Sequence, residues 1–331
     1  MIVGQLGLTL SPVSYQQLLL LPKCQSNVYT YYDGTYITVF DSEQKINGKI
    51  ISNWKQKGIY QFFVSKADQQ KIVDMAYKNF QEVTRQLSIG HPLEKGTEYL
   101  IQLADLLNLL YDDYQNEELL RLVYHTSHSF YYYLEQNANL IRLHYGTIQR
   151  LPISFYFKQP ILSSLFMIGF LLEHQIVGSR ENVDLFSVSL LKDIGMCLVP
   201  RDSWNKKILD QTDRLCLEKH SGHSVMLLKE HLPLNKSQLH IIEQHHFQNE
   251  LVRKIITDTK SANENMEEII QGFETMVVAI SDLIVAMFSE RPYRPKYPAE
   301  IVQKVVKTLC DNNYPSETKM LTNFIRNFYM D

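Results

Sequence analysis

Cysteine is scarce and shows no close pairing. Cys24, Cys197, Cys216 and Cys310 are the four in 331 residues, with no CxxC among them. This speaks against a disulfide framework and for a reducing compartment. A basic surplus is missing too. The net charge of −3 is wrong for a duplex nucleic-acid partner, which needs excess lysine and arginine. A small anion held by two or three arginines is not excluded. Long apolar runs are lacking: the longest, PILSSLFMIGFLL at 160–172, is shorter than the roughly 20 residues of a membrane crossing. The opening MIVGQLGLTL has neither the basic start nor the apolar stretch of a secretion signal. Internal repeats and low-complexity tracts are absent. The expectation is a cytoplasmic protein with no membrane span.

What is present suffices for a large core. Hydrophobic residues make up 45%, and the length suits about two domains. The first part reads as α+β. VYTYY and TYITVF flank Asp33-Gly34, a strong hairpin-turn dipeptide. IYQFFV (59–64) is a third strand, and Ser65 caps a helix that Gly90 and Pro92 punctuate. Tyr29, Tyr31, Tyr32 and Tyr36 read as sheet packing. From about residue 97 the chain reads as successive helices. His125 and His128 lie one turn apart on one of them, more as a solvated or interface face than as a site.

Polar residues at apolar positions carry the chemical signal. Asp193 follows Phe186 and Leu190 on one helix stripe, and Asp282 lies in line with Val278 and Val285. His220 shares a stripe with Cys216, His223 and Leu227; His245 follows Ile241, and His246 follows Ile242, each by four residues. A buried carboxylate costs several kcal/mol unless it is paired or bound to a cation. One such residue is commonly a satisfied core group. Five in order on successive helices point to a metal, with iron, manganese and zinc all compatible.

Four strings quoted in chain order carry a resemblance: LLKDIGM (190–196), LEKHSGHSVMLL (217–228), IIEQHHFQNE (241–250) and VVAISDLIVAMFSERPYRP (277–295). Together they resemble the HD superfamily of metal-dependent phosphohydrolases, and within it the HD-GYP group. By position the α+β N-terminal part (1–145), ending in a helical linker, would be a regulatory or partner-binding domain. The resemblance implies an all-α HD-GYP-like helical bundle (146–331) after it. It implies two divalent metal ions, most often iron, with manganese or zinc as alternatives. Asp193 would bridge them and be indispensable to catalysis, His220, His245 and His246 would complete one sphere, and Asp282 would ligate the other ion. Arg291 and Arg294 would hold phosphate. The implied ligand is cyclic di-GMP or a related dinucleotide.

The departures from the family pattern are specific. Lys192 replaces the metal-binding histidine of the HD pair, and a protonated lysine is no metal ligand. Met196 replaces a lysine, and Phe247 replaces a glutamate. No GYP occurs in QNELVRKIITDTKS. The stretch Tyr156–Pro160, where the family has further ligands, offers only Gln159, with Glu173 or His174 as nearby donors that could substitute. Two functions of different classes follow: a metal-dependent cyclic di-GMP phosphodiesterase, or a cyclic di-GMP-binding effector or partner-docking module with little or no turnover.

Overall fold

The computed structural model describes residues 10–59, 61–151, 154–200, 203, 206, 208, 210–256, 272–291, 294–311 and 313–330. The chain divides into two compact units, Met1–Val83 and Thr84–Asp331.

The first unit is built on a four-stranded antiparallel sheet of order β1-β4-β2-β3, with β1 Leu10–Ser14, β2 Val28–Tyr32, β3 Thr35–Phe40 and β4 Gln61–Ser65. The Asp33-Gly34 hairpin forms as expected, both residues taking positive φ (49° and 77°), the backbone a two-residue turn of this hand demands. Sequence reading overlooks β1. It contains Pro12, which lacks a ladder donor, and it accordingly lies at a sheet edge. Helices α1 (Tyr15–Leu19), α2 (Gly48–Gln56) and α3 (Lys66–Arg85) complete the layer. Ser65 Oγ accepts from the Asp68 amide at 3.1 Å, the expected N-cap. Asp68 itself is fully buried and accepts from the Gln25 amide (2.8 Å) and the hydroxyls of Ser26 (2.6 Å) and Ser65 (2.9 Å). Burial pushes this carboxyl up, but those donors outweigh it and hold it below the usual value. The tyrosines pack partly as expected. Tyr36 sits edge-on to both Tyr31 and Phe63, while Tyr31 and Tyr32 are half exposed.

The second unit is helical: α4 (Pro92–Asp112), α5 (Glu117–Gln136), α6 (Ile141–Arg150), α7 (Phe155–His174), α8 (Ser179–Leu191), α9 (Gln211–Glu218), α10 (His220–His231), α11 (Lys236–Gln244), α12 (Asn249–Ile256), α13 (Phe273–Phe288), α14 (Ala299–Cys310) and α15 (Pro315–Met330). α7 is long and apolar enough to cross a membrane, yet 72% of its apolar window is buried in the protein. It is the central helix, flanked by α4, α6, α8 and α13, and apolar all round for that reason. The helices between 92 and 145, which the sequence reading groups with the N-terminal part (1–145), pack within this second unit. α4 and α6 lie on α7, and α5 lies on α8.

Candidate metal centre and phosphate cavity

The site is assembled from helix ends. Asp193 lies on the expected inward side but not inside a helix: α8 stops at Leu191, Lys192 is its C-cap, and Asp193 opens a 3-10 turn, Ile194–Leu198. His220 starts α10 rather than sharing one helix with Cys216, and His245 and His246 lie just past α11. The physical reason is the unpaired carbonyls that every helix C-terminus leaves. His220 Nδ1 bonds to the Leu217 carbonyl, and His245 Nδ1 bonds to the Ile242 carbonyl at 2.6 Å. Those bonds place the proton on Nδ1 and aim Nε2, with its lone pair, at the site.

Gly195 permits the approach of the two segments. A Cβ there would stand 2.1 Å from the His220 carbonyl oxygen and 2.5 Å from the Ser224 nitrogen. The Gly195 amide instead donates to Ser224 Oγ at 2.8 Å. From α4, the Tyr111 hydroxyl donates to the Asp193 carbonyl at 3.0 Å.

Four ligand atoms meet. Asp193 Oδ1 is 3.2 Å from His220 Nε2 and 3.1 Å from His245 Nε2. The Nε2 atoms of His220 and His246 are 3.2 Å apart, and those of His220 and His245 are 3.4 Å apart. All four side chains present a ligand atom within 4.8 Å of the others. Lone pairs this close repel unless a proton or a cation lies among them. Imidazole nitrogens with one carboxylate oxygen suit a divalent transition metal. The donor set therefore fits a metal ion. Burial disfavours a charged His220, but the Asp193 carboxylate, which a protonated ring would bond through Nε2, wins and raises it. Burial, then the neighbouring imidazoles of His245 and His220, drive His246 well below the usual histidine value.

Asp282 arrives close by but does not join the histidines. Its Oδ1 receives Lys192 Nζ at 2.8 Å and Gln159 Nε2 at 2.7 Å. Lys192 Nζ also contacts Asp193 Oδ2 at 2.7 Å and Ser163 Oγ at 3.1 Å, with no solvent exposure. Asp193 thus faces the imidazoles with one oxygen and the lysine with the other. Burial pushes its carboxyl up, but the Lys192 charge and the imidazole bonds hold it well below the carboxylate range. Burial likewise pulls Lys192 down, and the Asp193 and Asp282 carboxylates overrule it and keep it above the ordinary lysine value.

A cavity of about 400 Å³ opens beside these residues, lined by Asp193, His220, His246, Gln159 and Asp282 together with Met196. Arg291 and Arg294 line it, joined by Arg214 of α9 and Arg253 of α12. The last two escape sequence reading because arginines on short polar helices look like solvated charge. The Arg291 guanidinium stacks 3.4 Å over the Phe155 ring, and its Nε is buried without a partner among the described residues. Arg294 is more committed, donating to the Ala286 carbonyl at 2.8 Å and the Pro295 carbonyl at 3.3 Å. Phe247 is half-buried in the turn after α11 and does not line the cavity. The stretch lacking GYP is described only as far as Ile256; residues 257–271 lie outside the described residues.

Glu173 and His174, expected as nearby donors, do not reach the site. Glu173 and His174 end α7, about 20 Å along the helix from Gln159 at 1.5 Å per residue, and His174 Nδ1 bonds to the Phe170 carbonyl. His125 and His128 both pack against Tyr124 and are not in the donor cluster.

No family model matches the chain, and no curated protein matches it. Among solved structures it is similar to Bd1817, an HDG"Y"P protein from Bdellovibrio bacteriovorus, with a TM-score of 0.59 and 11% identity. The likeness covers 96% of this chain and 99% of that one. At that identity the likeness shows the fold: a small antiparallel sheet unit followed by the helical architecture of an HD-GYP protein.

Proposed function

We propose that the chain is a metal-dependent phosphodiesterase of unconventional HD-GYP type, acting in the cytoplasm on cyclic di-GMP or a related cyclic dinucleotide. One observation carries this reading: Asp193, His220 and His246 present acceptor atoms at a cavity that Arg214, Arg253, Arg291 and Arg294 also line. A divalent ion, iron or alternatively manganese or zinc, would supply there a water of lowered pKa and positive charge for phosphoryl oxygens. Asp193 and the three imidazoles would hold it. Arg291, flat against Phe155 and with Nε unpaired, offers a guanidinium fork to a phosphate. Hydrolysis adds water across one phosphorus–oxygen ester bond and leaves the linear dinucleotide pGpG. The metal-binding part is assigned to residues 146–331, and the preceding residues to regulation or to a protein partner.

A second reading, a cyclic di-GMP-binding effector with little turnover, has its own support in Lys192, which brings an ammonium where the family has a metal-binding histidine. Purified full-length protein loaded with Mn²⁺ or Fe²⁺ and given cyclic di-GMP decides between them. Formation of pGpG that disappears in Asp193→Ala is expected. Binding without product would replace the enzyme by the effector.

A further inference from the structure

We infer that Lys192 takes the place of a second divalent cation, so that this centre holds a single ion, between Asp193, His220, His245 and His246. The inference rests on the reading of that donor cluster as a metal site. It concerns the other side of Asp193, where a binuclear centre would place its second ion between Asp193 and Asp282.

That position does not fit a metal. Lys192 Nζ is 2.7 Å from Asp193 Oδ2 and 2.8 Å from Asp282 Oδ1. An ion between the same two oxygens would sit about 2.0–2.2 Å from each, in the volume the ammonium fills. Both are cations, and the lysine has nowhere to withdraw: its side chain has no solvent exposure. Its hydrogen-bonding capacity is also spent. An ammonium has three donors, and the two carboxylates and Ser163 Oγ at 3.1 Å take them.

Lys192 therefore has no N–H to offer a phosphate or a leaving group. It is a positioning residue that acts through Asp193 and Asp282. Gln159 completes the substitution by donating to Asp282 Oδ1 at 2.7 Å and to the Asp282 carbonyl at 2.9 Å. The charge logic agrees. Two carboxylates and one ammonium leave one net negative charge for the ion at the imidazoles, whereas two divalent ions would face only the two carboxylates.

Metal counting on the full chain tests this directly. Protein stripped with chelator is reloaded with Mn²⁺ and its bound metal measured by elemental analysis. One ion per chain is expected for the unaltered protein and two for Lys192→His, which exchanges the charge for a ligand. Asp282→Asn, which keeps the lysine, is expected to stay at one ion, because Asp282 holds no metal. Two ions in the unaltered chain, one in a folded Lys192→His, or a loss of metal in Asp282→Asn overturns the inference. If Lys192→His does not fold, the other two counts decide. One ion without hydrolysis of cyclic di-GMP overturns the enzyme reading and leaves Lys192 in its role; two ions with hydrolysis does the reverse. No bound ion overturns both.

Discussion

Lys192 and Asp282 form an enclosed ion pair, Nζ to Oδ1 2.8 Å, in which the lysine has no solvent exposure at all. The two residues come from the end of α8 and the middle of α13, so the pair ties two core helices together beside the candidate metal centre. Breaking such a pair from one side strands the other charge, at a cost of about 3–5 kcal/mol. Lys192→Met strands both Asp193 and Asp282, so it is expected to lose at least that much in urea unfolding. Asp282→Asn keeps a hydrogen-bonding side chain and is expected to lose roughly 1–3 kcal/mol. Equal and small losses would mean that the pair is not enclosed as described.

Gly195→Ala places a methyl group 2.1 Å from the His220 carbonyl oxygen. Backbone must move, because the obstruction is itself backbone. The variant is expected to unfold at lower denaturant and to bind Mn²⁺ at least tenfold more weakly, since His220 moves away from Asp193. Unchanged metal affinity by titration would show that this close approach does not set the site.

Arg291 and Arg294 are expected to separate. Arg291 has an unpaired Nε and lines the cavity, whereas Arg294 is bonded to the Ala286 carbonyl. Arg291→Ala should weaken cyclic di-GMP binding by about 10- to 100-fold, the worth of a charge-assisted bond, with stability nearly unchanged. Arg294→Ala should lower stability more than it lowers affinity. Calorimetric titration and denaturant unfolding of both variants measure the two effects, and the opposite ranking would reverse the assignment.

His144 and Asp105, the first buried and the second half-buried, give opposite pH signatures. His144, in contact with the Tyr133 hydroxyl at 2.9 Å, is held down to about 4 by burial. Its folded value lies below its unfolded one, so stability is full above pH ~6.5 and falls as pH drops toward 4, by up to about 3 kcal/mol. His144→Gln should flatten that part of the stability profile. Asp105 is pushed up to about 7 by burial. Its folded value lies above its unfolded one, so stability is full below pH ~4 and falls as pH rises toward 7. Asp105→Asn is expected to stabilise the protein at pH 8, on the order of 2 kcal/mol, and to do little at pH 4. An asparagine variant no more stable at pH 8 would contradict this.

Much of this was legible from spacing alone. Inward-facing positions identify Asp193, His220, His245 and Asp282, because burial is what periodicity reports. Partners are another matter. Asp282 was expected to ligate a metal, and nothing in one dimension shows that Lys192, adjacent in sequence to Asp193, folds back to reach it. Helix ends were missed for a related reason. His220 and His245 close the preceding turns through their own Nδ1 atoms, so the periodic pattern runs on past the true termini. Arg214 and Arg253 carry no pattern that separates a cavity wall from a solvated helix face.

The most direct test is a crystal structure of Mn²⁺- or Fe²⁺-loaded protein with anomalous data collected at the metal's absorption edge. One peak is expected, about 2.0–2.2 Å from the Nε2 atoms of His220, His245 and His246 and from Asp193 Oδ1, with density for the Lys192 side chain between Asp193 and Asp282. A second peak in the place of the ammonium, or no peak among the histidines, would contradict it.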